Sequence, residues 1–137
     1  MGQPTWRPLK TIQVPAANTP WTLALAYIKA GKLIKIEADG TWTPLDATNA
    51  IGPDGDALMA CAGSEYLDSA PFGCLIGRIG VSSASASSTD LTFPVGRVAV
   101  LSVPADKSGA LFLGVNDHFT RMSRVAGALE VHLFEAL

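Results

Sequence analysis

The feature that most constrains this chain is a period-two alternation of apolar and polar residues in short runs, each broken by turn residues. Ile34 and Ile36 share one side of an extended segment, while Lys35 and Glu37 take the other. Leu129, Val131 and Leu133 alternate with Glu130 and His132 in the same way. Successive side chains of an extended backbone point to opposite faces, so this pattern belongs to half-buried strands. Such runs predict strands at 10–14, 22–28, 32–38, 58–62, 74–79, 97–103, 110–115 and 128–134. Gly31, Asp39-Gly40, Gly52-Pro-Asp-Gly55, Gly80, Pro104-Ala-Asp106 and Gly127 read as the turns between them. No window carries the 3.6-residue period and end caps of a helix. About eight short strands at this spacing predict an all-β chain, an antiparallel β-sandwich of jelly-roll type.

With 137 residues the chain is long enough for one domain with a real core. Residues 1–20 read as an extended N-terminal arm and first strand, and 21–137 as the sandwich. Pro4 and Pro8 keep the arm extended around Trp6. Residues 82–90, a run of Ser and Ala ending in Thr-Asp, read as a solvated loop. No internal repeat interrupts this plan.

Charged residues make up 16% of the chain, below the ~25% of an ordinary soluble domain. Two accounts follow: part of the surface is hidden in a partner, or a Ser/Thr/Asn surface covers a well-packed sandwich. Net charge is −2 and the ten basic residues are scattered, which argues against nucleic acid as a partner. No apolar stretch approaches the ~20 residues of a membrane-spanning helix, so no membrane partner is expected. The first residues lack the basic-then-apolar build of a signal peptide, and Pro4 and Arg7 fit a myristoylation signal badly. The expectation is a protein made in the cytoplasm that acts there or leaves as part of a larger particle such as a virion.

Cys61 and Cys74 each sit in an apolar run, and nothing marks an oxidising compartment, so two buried thiols are expected. Neither neighbourhood supplies the further ligands of a zinc site. Catalytic signals are sparse. His132 reads as a strand-face residue, and Asp117-His118 is a sequence neighbour pair that extended backbone would point apart. No nucleophile elbow, zinc-protease helix or phosphate loop occurs, so no enzyme is expected. Asp54 and Asp56 offer two carboxylates to a cation such as calcium, but Gly52-Pro-Asp-Gly55 is first a turn sequence, with Pro53 and Asp54 in its central positions.

Five pieces in order carry a family resemblance: residues 30–37 followed by Ala38-Asp-Gly-Thr-Trp42; Gly52-Pro-Asp-Gly-Asp56; Phe72-Gly-Cys-Leu-Ile-Gly-Arg-Ile-Gly80; Phe93-Pro-Val-Gly96; and Gly109-Ala-Leu-Phe-Leu-Gly-Val-Asn-Asp117. From about Thr22 to Phe134 the chain resembles the calcium-dependent galactophilic lectins of bacteria, a small jelly-roll sandwich. The resemblance implies a calcium ion that binds sugar hydroxyls directly. Asp117 matches the family's aspartate ligand, and the carbonyls near Pro44–Leu45 and at Arg121 match its backbone ligands. Arg124-Val125 stand where the family carries an Asp-Asn or Asn-Asn pair, and the family's sugar-contacting His and Gln are absent from 57–71. Val125 has no side-chain oxygen. A guanidinium ~5 Å from a dication repels it by several kcal/mol at an effective dielectric of ~20. No metal and no other cofactor is therefore expected; in the family manner, calcium would keep Asp117 as its residual ligand, with Thr120 and Ser123 as weak oxygen donors nearby.

Two functions stay open. One is a lectin fold serving as a structural or interaction subunit, in a homo-oligomer or a virion or tail decoration, with Trp6, Phe119, Met122 and Arg124 as interface candidates. The alternative to it is a carbohydrate-binding lectin that binds galactose through calcium in the family manner, with Trp42, Asn116, Asp117 and His118 as glycan-contacting candidates.

Overall fold

A computed structural model describes residues 5–15, 21–43, 50–55, 73–80, 91–105, 108–116 and 126–137. Among these, the secondary structure is entirely strand and turn. The strands are β1 (Trp6–Pro15), β2 (Thr22–Ile28), β3 (Leu33–Thr43), β4 (Leu75–Gly80), β5 (Leu91–Pro94), β6 (Val98–Ser102), β7 (Gly109–Val115) and β8 (Ala126–Ala136). They form two antiparallel four-stranded sheets, ordered β1-β8-β3-β6 (sheet A) and β2-β7-β4-β5 (sheet B). The chain is an all-β sandwich, as the alternation predicts.

The period-two pattern decides what each sheet buries. Ile34, Ile36 and Ala38 of β3 and Leu129, Val131 and Leu133 of β8 point inward and meet Leu75, Ile79, Leu111 and Leu113 of sheet B in one core. Burying a side chain of this size contributes roughly 1.5–3 kcal/mol. β4 is buried along its whole length. Its Leu75 and Ile79 enter the main core, and Ile76 joins Trp21, Cys74 and Phe112 in a second cluster. Arg78 is fully buried beside that cluster, its guanidinium carbon 4.8 Å from the Trp21 ring centre and 4.6 Å from that of Phe112. Arg78 lies on the face of β4 opposite Leu75 and Ile79, and that face is buried as well.

The prolines inside strands fall on sheet edges. Pro8 and Pro15 lie in β1 and Pro94 in β5, where a missing N–H removes no ladder bond from an interior strand.

Three expectations change. Asp39-Gly40 is not a turn: β3 runs on to Thr43 and stays in register with β8 from Ile34 to Thr43. Gly40 takes a φ of 100°, which lets the long strand continue where a side chain would be strained. Gly127 is likewise inside β8 rather than in a turn. The arm is shorter than expected, because from Trp6 onward it is β1, paired with β8 from Trp6–Ala136 to Pro15–Ala128. The four-residue β5 was not among the predicted strands, being too short to show a period. The predicted strand at 58–62 and the loop at 82–90 lie outside the described residues.

Candidate functional site

Several strands end or begin together at one end of the sandwich. β3 finishes there at Thr43, β7 finishes at Val115 with Asn116 beyond it, and β8 begins at Ala126. Gly73 and Cys74 lead into β4 at the same place. These strand ends flank residues 44–49, 56–72 and 117–125.

Trp42 ties this end together. Its backbone exchanges hydrogen bonds with Ile51, donating to the Ile51 carbonyl at 3.0 Å and accepting from the Ile51 N–H at 2.8 Å. Its indole N–H crosses to the other sheet and donates to the Gly73 carbonyl at 2.8 Å. The Gly73 N–H donates to the Asn116 carbonyl at 2.7 Å, and the Asn116 N–H donates to the Cys74 carbonyl at 2.9 Å. The chain of bonds runs from β3 through the β4 entry to the end of β7. A buried polar group left without a partner is costly, so each link holds the next in place.

The Gly52–Gly55 turn forms as its sequence predicts, with the Gly55 N–H donating to the Gly52 carbonyl at 3.1 Å. Its Asp54 carboxylate accepts from the Arg97 backbone N–H at 2.8 Å and lies 3.6 Å from the Arg97 side-chain nitrogen Nε. That use docks the turn onto the β5–β6 connection. The Pro53 carbonyl accepts from the Leu75 N–H at 2.8 Å. Asp54 is thus a structural acceptor; Asp56 lies outside the described residues.

The sequence-derived candidates fare differently. Trp42 is corrected: at 1% exposure its ring belongs to the core and offers no face for a sugar to stack on. The alternation ran through Gly40 and put Trp42 on the inward side with Ile36 and Ala38. Asn116 is fully buried and sits at the rim as a structural link. Asp117, His118, Phe119, Met122 and Arg124 lie outside the described residues. Trp6 is corrected as an anchor on a free arm. It pairs with Ala136 within the sandwich, and the Lys35 ammonium lies 5.1 Å above its ring. Among the described residues no three His, Cys, Asp or Glu side chains gather in a way that would hold a metal ion.

Sequence reasoning missed a polar cluster on the outer face of sheet A. Thr11, His132 and Glu37 are cross-strand neighbours on β1, β8 and β3. The His132 ring has Nδ1 3.0 Å from the Thr11 hydroxyl oxygen and Nε2 2.9 Å from Glu130, with Asp39 4.0 Å away. The period showed that His132 and Glu130 face outward; the pairing that brings Thr11 to them spans most of the chain.

The fold is that of a lectin-like β-sandwich. The structure is similar to the solved N-terminal domain of EclA, described as a PllA-like lectin, with 25% sequence identity and a TM-score of 0.67, covering 93% of this chain and 97% of that one. No protein-family model matches the chain, and no curated protein does.

Proposed function

We propose that this chain is a non-enzymatic carbohydrate-binding domain whose glycan site lies at the end of the sandwich framed by Thr43, Ile51, Asn116 and Gly127. The likeness to a lectin domain over almost the whole chain is the observation that carries this reading. The bond chain from Trp42 through Gly73 to Asn116 supports it, because a binding rim needs a rigid base. Asp117 and His118 follow Asn116 directly and are the side chains we assign to sugar contact.

Calcium does not fit the donor set. Arg124 and Val125 supply no side-chain oxygen, and Asp54 is already committed to Arg97. Glycan recognition here rests on direct hydrogen bonds from protein groups, without the calcium bridge that the resemblance to galactophilic lectins implies. Titration against an array of galactosides and other neutral glycans, in calcium and in chelator, tests this. The expected result is binding that chelator leaves unchanged. Failure to bind any glycan in either buffer overturns the reading, and binding lost in chelator overturns its metal-free form.

A second reading, a subunit of a homo-oligomer or virion, loses the free arm that supported it. It keeps the sparse charge of the chain and gains one observation: Leu23 and Tyr27 on edge strand β2 are 48% and 64% exposed. Sedimentation at high concentration tests the oligomer, and a monomer with no particle or partner in its source removes this second reading.

A further inference from the structure

We propose that the outer face of sheet A carries a second ligand site, a groove between β1 and β8 that takes the hexose ring of a glycan. It is separate from the strand-end site and does not depend on it.

The groove arises from a fault in the ladder. Between Pro8 and Lys10 the β1–β8 register shifts, so Leu9 is an extra residue and the ladder is locally disrupted. The space left is about 440 Å³, lined by Pro8 and Thr11 of β1 and by His132 and Phe134 of β8 among others. Small-ligand pockets span roughly 300–1,000 Å³.

Its walls are apolar on one side. Pro8 and Phe134 are register partners and face each other across the two strands. Lys35 reaches the Phe134 ring from β3, its ammonium 4.6 Å from the ring centre. β8 lies between β3 and β1, so the Lys35 side chain reaches over β8 toward the groove strand. The same ammonium contacts Trp6, and these contacts fix the aromatic wall.

The polar side has a defined direction. A carboxylate only accepts, so Glu130 takes the proton of His132 Nε2–H at 2.9 Å. In the neutral imidazole Nδ1 is then an acceptor, and it takes the Thr11 O–H at 3.0 Å. While the imidazole is neutral, the Thr11 proton is turned toward His132 and the hydroxyl oxygen offers its lone pairs to a ligand. The groove therefore asks for an O–H donor set beside an apolar face. A hexose has both, a face of C–H groups and a rim of hydroxyls. The surroundings disfavour charged alternatives: Glu130 and Asp39 stand beside His132 against an anion, and Lys10 lines the groove against a cation.

Amide chemical shifts of the labelled protein, titrated with methyl galactoside, methyl glucoside and lactose, test this. The expected result is saturable shifts at Thr11, His132 and Phe134 with at least one sugar. Thr11→Val keeps the shape, removes the acceptor and weakens that binding about fivefold to tenfold. Phe134→Leu keeps an apolar strand residue and weakens it by losing the ring. Shifts at Thr43, Asn116 and Gly127 report the strand-end site and stay unchanged in both variants. Shifts confined to those three residues overturn the groove and leave the proposed function standing. Groove shifts that survive Thr11→Val unchanged overturn the directed relay, and no groove shift with any sugar overturns the site.

Discussion

The indole N–H of Trp42 donates to the carbonyl of Gly73 at 2.8 Å, joining the last residues of β3 to the entry of β4 across the two sheets. The bond is buried, and both partners belong to the frame of the proposed glycan site. Stability and site geometry are therefore coupled through one side chain.

Replacing Trp42 separates its two contributions. Trp42→Phe keeps most of the ring volume and leaves the Gly73 carbonyl without its donor, a loss of about 1–3 kcal/mol. Trp42→Ala also opens a cavity in the core and is expected to cost about 3–5 kcal/mol. Denaturant midpoints measure both. Glycan affinity in Trp42→Phe should fall even where the domain stays fully folded.

Gly127 and Gly31 offer a matched comparison. Both have positive φ, 87° and 86°, so alanine is strained at either. A Cβ on Gly127 would also lie 2.9 Å from the Trp42 Cα and 3.2 Å from the Thr41 carbonyl oxygen, whereas one on Gly31 meets nothing within 4 Å. Gly31→Ala should cost on the order of 1 kcal/mol. Gly127→Ala should cost clearly more, because backbone and not a flexible side chain must move. Equal shifts in melting temperature would contradict this.

Deleting residues 1–8 removes the Trp6–Ala136, Arg7–Glu135 and Pro8–Phe134 pairings and the ion pair of Arg7 with Glu135. It also removes the bond from the Leu137 N–H to the Thr5 carbonyl and the Trp6 ring beneath Lys35. The expected outcome is a folded domain destabilised by roughly 1–3 kcal/mol with an unchanged oligomeric state. A change of assembly without loss of stability would restore the arm as an intermolecular element.

Cys74 is buried at 2% exposure in the cluster with Trp21, Ile76 and Phe112. Thiol labelling after denaturation without reductant should count two groups, Cys61 and Cys74. Labelling of neither would mean a disulfide and an oxidising compartment.

Much of this sandwich is written locally. The alternation at Ile34–Glu37 and Leu129–Leu133 determined which side chains enter the core, because extended backbone turns each neighbour to the opposite face whatever the rest of the chain does. The turn at Pro53-Asp54 was equally legible, since its conformation is set by residues within four positions. Gly40 and Gly127 were misread as breaks, because a glycine's positive φ serves a turn or a continuing strand alike, and only the β3–β8 pairing decides between them. That pairing also carried Trp42 from a candidate sugar platform into the core. The burial of Arg78 between Trp21 and Phe112 had no local signal, because those rings come from segments far from it in sequence. The Thr11–His132 contact joins residues 121 positions apart, and the β1 bulge beside it exists only relative to β8. Local sequence determined strand identity and facing; tertiary pairing alone decided which side chains meet, because strand register is a relation between distant segments and has no signature in either one.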